Sequence, residues 1–187
     1  MQEDIELIID MCQEGMKNSL DHLGTELNKI RAGKASPSVL DGLLVEYYGS
    51  PTPLNQVANV GVSDARTLTI QPWEKTMLAP IERAIFNANL GFTPMNDGEM
   101  IRISIPPLTE ERRREYVKRA KAEGETAKVS IRNSRREGME GIKGAVKDGY
   151  PEDAGKREEE RVQKMTDKYS KMVEEMIDAK EKDIMTI

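Results

Sequence analysis

The apolar residues near the N-terminus recur in steps of three and four, which is the spacing of one face of an α-helix. They are Ile9, Cys12, Met16, Leu20, Leu23, Leu27 and Ile30. This pattern predicts one long amphipathic helix over residues 3–31, whose apolar face packs against partner helices. Cys12 lies on that face, so we expect a packed thiol rather than a reactive one.

A second helical pattern begins after Pro106 and Pro107 and ends near Gly149, with Thr109 as its predicted N-cap. At ~1.5 Å per residue, about 40 residues would make a rod of ~60 Å. Its inward face is built largely from small residues, including Gly124, Gly138 and Gly141, and Gly144 adds a further glycine near the end of the helix. Each interior glycine costs ~1 kcal/mol of helix propensity, so the last third of this helix is its weakest part.

A third pattern covers residues 153–183, and its apolar face is rich in methionine. That face reads Val162, Met165, Tyr169, Met172, Met176 and Ala179. Three long amphipathic helices in a short chain predict an elongated three-helix bundle. An intermolecular coiled coil is the alternative, but the unequal helix faces favour a closed bundle, and we expect a monomer.

The residues between the first two helices follow a different pattern and predict a small α/β, β-rich domain. Strands are predicted where apolar residues alternate or cluster, at residues 43–48, 57–62, 66–71 and 99–105. Residues 50–53, Ser-Pro-Thr-Pro, predict a turn, and the spacing of Ile81 and Ile85 predicts a short helix.

The predicted fold class is therefore α+β, with a small domain inserted into a helical bundle. The bundle comprises residues 1–31 and 106–187, and the inserted domain comprises residues 32–105. Two chain crossings, near 31–37 and 104–107, are expected to act as hinges. The residues assigned to them are Gly33, Pro37, Pro106 and Pro107. Rigid turns packed against the bundle are the alternative.

Composition excludes several classes of protein. The chain has 187 residues, is 33% charged and 37% hydrophobic, and carries a formal charge of -5. No apolar run approaches the ~20 residues of a membrane-spanning helix, and the acidic N-terminus is unlike a basic targeting segment. We therefore expect a cytoplasmic protein without membrane contact. One cysteine and one histidine leave no ligand set for a metal and no catalytic triad, so we expect no metal, no cofactor and no enzyme activity.

The charge is unevenly distributed, because residues 106–147 carry 12 Lys and Arg against 7 Asp and Glu. Four cations follow one another at seven-residue steps: Arg114, Lys121, Lys128 and Arg135. In a bundled helix they form one line with ~10.5 Å steps; Arg132 lies on the adjacent line and Arg136 flanks both. Such a row suits an extended polyanion, above all folded RNA, recognised through shape and phosphate. A solvated helix face balanced by glutamates is an equally weighted alternative.

Five segments carry a specific family resemblance. They are KIRAGKASP at 29–37, VEYYGSPTPL at 45–54, PPLTEERR at 106–113, IRNSRR at 131–136 and VQKMTD at 162–167. Together, and in this order from end to end, they closely resemble the bacterial ribosome recycling factor family.

The resemblance implies an L-shaped molecule, similar in outline to tRNA, that is not an enzyme. It implies that the bundle binds large-subunit ribosomal RNA in the post-termination complex. Elongation factor G with GTP then acts on the second domain. As a result the ribosome splits into subunits, and mRNA and tRNA are released. The RNA-binding residues it implies are Arg132, supported by Arg135 and Arg136, and Arg31; the heptad spacing adds Lys128, Lys121 and Arg114. A helical chaperone or scaffold that binds proteins through the methionine-rich helix is the alternative function.

Overall fold

The computed structural model describes residues 2–30 and 34–186, which form an α+β fold. Its helices are α1 (Gln2–Asn28), α2 (Leu78–Asn87), α3 (Glu110–Lys147) and α4 (Glu152–Met185). Its strands are β1 (Leu44–Tyr47), β2 (Ser50–Pro53), β3 (Ala58–Asp64), β4 (Thr67–Pro72), β5 (Pro94–Asn96) and β6 (Ile101–Ser104). The chain divides into two compact units, Met1–Ile30 with Arg114–Lys182 and Arg31–Arg113 with Asp183–Ile187.

The first unit is a bundle of α1, α3 and α4. The predicted apolar face of α1 is confirmed, because all seven of its residues are buried, together with Ile5. From α3, the small side chain of Ala120 and the larger Ile131 and Ile142 enter the core. The helix-spacing pattern therefore identified the buried face of α1 except for Ile5 and Ser19, which are also buried.

The glycines of α3 let the neighbouring helices approach closely. A Cβ at Gly124 would lie 2.7 Å from Cγ1 of Ile177 on α4, and one at Gly141 would lie 3.0 Å from Cγ2 of Ile8 on α1. Despite its glycines, α3 is one unbroken helix of 38 residues. Packing against helices on both sides offsets the low helix propensity of this stretch.

The predicted inward face of α4 is partly wrong. Val162 and Tyr169 are buried as predicted, but Met172 is 38% exposed and Ala179 is also exposed. Val173 takes the core position instead. It lies eleven residues after Val162, which is about three full turns, so it returns to the same face of a straight helix. The strict three-four alternation drifts away from that face.

The ends of α3 follow the predicted signals. The hydroxyl of Thr109 accepts a hydrogen bond from the backbone N–H of Arg112 at 3.2 Å, which confirms the N-cap. Beyond the last turn, Gly149 has a φ of +106°, a conformation that side chains rarely adopt. The first helix ends at Asn28, short of the predicted limit at Arg31, a residue that lies outside the described part of the chain.

The second unit contains two antiparallel sheets and α2. Strands β1 and β2 form a hairpin, and the larger sheet has the order β3-β4-β6-β5. The predicted turn at residues 50–53 is wrong, since these residues are β2, with Ser50 opposite Tyr47. The turn lies one step earlier, at Tyr48 and Gly49, whose φ values of 48° and 82° suit a two-residue hairpin connection.

Helix α2 covers one face of the larger sheet. Its buried residues Ile81 and Ile85 share a core with residues that alternate along β4 and β6. The sheet residues of this core include Leu68, Ile70, Ile101 and Ile103. Period-two alternation correctly predicted β4 and β6, whereas β5, three residues that begin with a proline, was not predicted.

The unit boundaries differ from the sequence-based limits at residue 31 and at residues 106–113 and 183–187, which all belong to the second unit. Arg113 explains the grouping. Its side chain is buried and donates hydrogen bonds to the carbonyl oxygens of Leu108 (3.2 Å), Ile184 (2.7 Å) and Thr186 (2.9 Å). Since a buried guanidinium needs acceptors, these bonds hold the C-terminal residues beside the start of α3.

The predicted hinge residues fall in the second unit or outside the described residues. Pro37 begins a short 3-10 helix, Pro37–Leu40, and Pro106 and Pro107 lie between β6 and α3. Gly33 is outside the described residues. Hinge motion stays a prediction.

Gly124 and Gly144 provide a matched test of the close helix packing. We predict that Gly124→Ala lowers the free energy of unfolding by about 1–3 kcal/mol, because its Cβ would overlap Ile177. Gly144→Ala should instead raise it by about 0.5–1 kcal/mol, because no packing neighbour outside the adjacent helix backbone lies within 4 Å of that Cβ. Urea unfolding followed by circular dichroism measures both. Equal stabilisation by the two substitutions would contradict the packing argument.

Cys12 is predicted to be unreactive in the folded protein. Burial raises the pKa of its thiol, the carboxylate of Glu137 raises it further, and the Sγ–H donates to the carbonyl of Ser134 at 3.2 Å. Because the thiolate is the nucleophile, reaction with an aromatic disulfide at pH 8 should be at least 100-fold slower than in urea. A reaction in buffer as fast as in urea would show that Cys12 is accessible.

Candidate nucleic-acid interface

The structure describes six of the seven predicted RNA-binding residues, and all six lie on α3. The seventh, Arg31, is outside the described residues. Since the small residues of α3 face inward, its cations project to the flanks and the outer side of the bundle. The six divide into two groups according to what lies beside them.

The heptad line runs along the flank of α3 that faces α4. Lys121 Nζ lies 3.3 Å from a carboxylate oxygen of Glu181. Lys128 Nζ lies 3.5 Å from Glu174 on α4 and 3.4 Å from Glu125 on α3. Neighbouring carboxylates therefore offset the charge of these two lysines. This agrees with the alternative interpretation, a helix face balanced by glutamates. Arg114, at the start of the line, is exposed.

Arg135 ends this line with a different partner. Its Nε donates a hydrogen bond of 2.7 Å to Oε1 of Gln163 on α4. The amide nitrogen of Gln163 in turn donates to Oδ1 of Asp167 at 2.9 Å. Arg135 is half-buried, and its direct partner is a neutral amide. Its guanidinium is therefore held by a neutral group and not by a carboxylate.

Arg132 and Arg136 form the second group, which we call the exposed arginine pair. They are four residues apart, so they lie one above the other on the same side of α3. Both are exposed, and neither has an ion pair within 4.0 Å among residues 2–30 and 34–186. Val129, 49% exposed, lies one turn before them on the same side. Two planar guanidinium groups are thus available for phosphate oxygens.

Other chemistry has little support in the described chain. Within it, no group of three or more His, Cys, Asp or Glu side chains is arranged to hold a metal ion. None of the helices in those residues combines the length and apolar character needed to cross a bilayer.

Comparison with known proteins identifies the family. The family model for ribosome recycling factor matches residues 23–185. The chain is 53% identical to the ribosome-recycling factor of Flavobacterium psychrophilum over 187 residues, which is 100% of both chains. It is 52% identical to that of Bacteroides thetaiotaomicron over 184 residues, 98% of this chain and 99% of the relative. The chain belongs to the ribosome recycling factor family.

Solved structures of the recycling factor family agree with the fold. A solution structure of a ribosome recycling factor matches with a TM-score of 0.81 and 38% identity, covering 98% of each chain. A T. thermophilus ribosome recycling factor, placed with E. coli elongation factor G on the E. coli post-termination complex, matches with a TM-score of 0.67. Its identity is 39%, with 97% of this chain and 99% of that chain covered. The predicted family and α+β fold class are confirmed.

The recycling factor family consists of translation factors that are not enzymes, which is the class predicted from the sequence. The match also decides against the alternative of a helical chaperone or scaffold. Sequence reasoning found the cations of α3 through their spacing, but it gave no role to Gln163. Gln163 lies within the family segment at 162–167, and the structure places it on α4.

Proposed function

We propose that the exposed arginine pair docks on ribosomal RNA of the large subunit in the post-termination complex. Elongation factor G with GTP then splits the ribosome into subunits, which releases mRNA and tRNA. The observation that carries the docking surface is that Arg132 and Arg136 are exposed and have no carboxylate partner in the described chain. The related factor placed with elongation factor G on a post-termination complex supports the choice of partners.

The remaining predicted cations have graded roles in this proposal. Arg135 adds a third guanidinium beside the pair. Lys121 and Lys128 contribute less, because glutamates already offset their charge. Arg114 and Arg31 complete the proposed contact set. We propose that the protein acts as a monomer in the cytoplasm, because the ribosomes that it binds are there.

Phosphate recognition explains why arginine is used at the centre of this surface. A guanidinium donates two parallel hydrogen bonds to a phosphate and stays charged at every physiological pH. Each neutralised phosphate releases condensed counterions, so binding should weaken steeply as salt rises. The rest of the chain, outside residues 106–147, carries a net charge of -10 and disfavours other orientations on the RNA.

We predict that Arg132→Ala lowers affinity for isolated large subunits at least tenfold and leaves the folded structure intact, because an exposed side chain adds little stability. The slope of log affinity against log salt should fall by about 0.7–0.9, the value for one lost phosphate contact. Sedimentation binding at several salt concentrations measures both quantities.

The matched control for this substitution is Arg157→Ala, which removes an exposed arginine from α4. It should leave the affinity within twofold of the wild type. Equal losses in the two variants would reduce the proposal to a non-specific charge effect, and wild-type affinity in Arg132→Ala would remove Arg132 from the surface. Binding that survives high salt would show that phosphate contacts do not dominate the interface.

We further propose that the chain crossings act as hinges during splitting. A variant with Pro106→Gly and Pro107→Gly would loosen one crossing, since glycine removes the fixed φ of proline. We predict that the splitting rate with elongation factor G and GTP changes at least threefold, while large-subunit affinity stays within twofold. Unchanged splitting in a variant that folds normally would argue for rigid turns at this crossing.

A further inference from the structure

Helix α4 presents acceptors of different charge to the cationic line of α3. Lys121 faces the carboxylate of Glu181, and Lys128 faces that of Glu174. At the next cation, Arg135, the acceptor is a neutral amide. The same flank of the bundle therefore places a carboxylate beside two of the cations and a neutral amide beside the third. That third cation, Arg135, is the one beside the exposed arginine pair.

The contact at Arg135 uses only part of its hydrogen-bonding capacity. Arginine has five N–H donors, and the single N–H on Nε is the one bonded to Gln163. In the chain as described, the two terminal nitrogens of Arg135 have no hydrogen bond to another residue. These nitrogens form the fork that recognises phosphate. Gln163 thus binds the Nε–H of Arg135 and leaves both terminal nitrogens available to a phosphate.

Asp167 decides which way the amide of Gln163 points. An ionised carboxylate can only accept hydrogen bonds, so the side of Gln163 that faces Asp167 must be its NH₂ group. The hydrogen bond of 2.9 Å between them has this direction. The amide oxygen is then turned toward Arg135, whose Nε can only donate. The three side chains form one directed chain of hydrogen bonds across α3 and α4.

We propose that Gln163 is a positioning residue for ribosomal RNA binding, which fixes the Arg135 guanidinium beside the exposed arginine pair without cancelling its charge. This inference rests on the proposed function. A held guanidinium loses less conformational freedom when it binds a phosphate than a mobile one does. A carboxylate at position 163 would still accept the hydrogen bond from Arg135, but it would lose the one to Asp167, offset the charge of the guanidinium and repel the phosphate.

The decisive variant is therefore Gln163→Glu, which keeps the shape and adds a negative charge. We expect affinity for large subunits to fall about five- to tenfold at low salt. The melting temperature should change little, because the new ion pair with Arg135 offsets the lost hydrogen bond to Asp167 and the repulsion between the two carboxylates. A purely structural role for Gln163 would lower the melting temperature instead. Gln13→Glu, at an exposed position of α1, carries the same charge change and should stay within twofold of wild type.

A second variant separates the positioning of the Arg135 guanidinium from the effect of a charge at position 163. Gln163→Met removes the acceptor, leaves Arg135 charged and keeps a side chain of similar length. Its affinity should fall about two- to threefold, with the salt dependence of binding unchanged. Gln163→Glu, by contrast, should reduce the slope of log affinity against log salt by about 0.7–0.9.

The double variant tests whether Gln163 acts through Arg135. In an Arg135→Ala background, Gln163→Glu should lower affinity no more than Gln13→Glu does, since the residue it positions is gone. The same loss in both backgrounds, or wild-type affinity of Gln163→Glu, would overturn the inference. If Arg132→Ala binds large subunits weakly, those results leave the proposed function intact. Wild-type affinity of Arg132→Ala would instead overturn the proposed function itself.

Discussion

The close approach of α3 to its two neighbouring helices is the constraint on which the bundle depends. Gly124 brings Ile177 of α4 against the backbone of α3, and Gly138 brings Cys12 of α1 within contact distance. With so little side-chain volume between the helices, residues on the flanks of α3 come within hydrogen-bonding range of α4. The hydrogen bond from Arg135 to Gln163 therefore follows from the small residues at the interface.

Helix packing in turn decides how much of the positive charge of α3 is available to a partner. The net charge of +5 over residues 106–147 overstates the cationic surface, because it ignores the carboxylates that α4 places beside that segment. Lys121 and Lys128 are paired with those carboxylates, whereas Arg132 and Arg136 are exposed and have no ion pair among the described residues. The surface left for a polyanion is short and rich in guanidinium groups. Such a surface suits oriented docking on folded RNA better than general attraction to it.

Sequence reasoning succeeded where local rules decide the structure. The apolar steps of α1, the N-cap at Thr109 and the glycine after α3 each depend on residues within a few positions of one another. It failed at residues 50–53, because two prolines indicate a turn unless the preceding Tyr48-Gly49 is identified as the hairpin connection. On α4 it assumed a coiled-coil period, whereas the helix keeps its buried face with an eleven-residue return.

The candidate site was only partly predictable for a related reason. Seven-residue spacing identifies which cations share a line on α3, but which α4 residue lies opposite each one depends on the register between two helices. Glu174 and Gln163 are 46 and 28 positions from their partners, and no local pattern joins them. Arg113 was likewise indistinguishable in sequence from the exposed Arg112 and Arg114 beside it.

Site-directed photo-crosslinking tests the central claim most directly, namely that the outer side of α3 touches ribosomal RNA. A photoreactive side chain in place of Val129 would lie one turn from the exposed arginine pair. The same group in place of Lys171, an exposed position on α4, is the control. The account predicts crosslinks from position 129 to large-subunit RNA and none above background from position 171. Equal labelling from both positions, or no RNA crosslink from position 129, would contradict it.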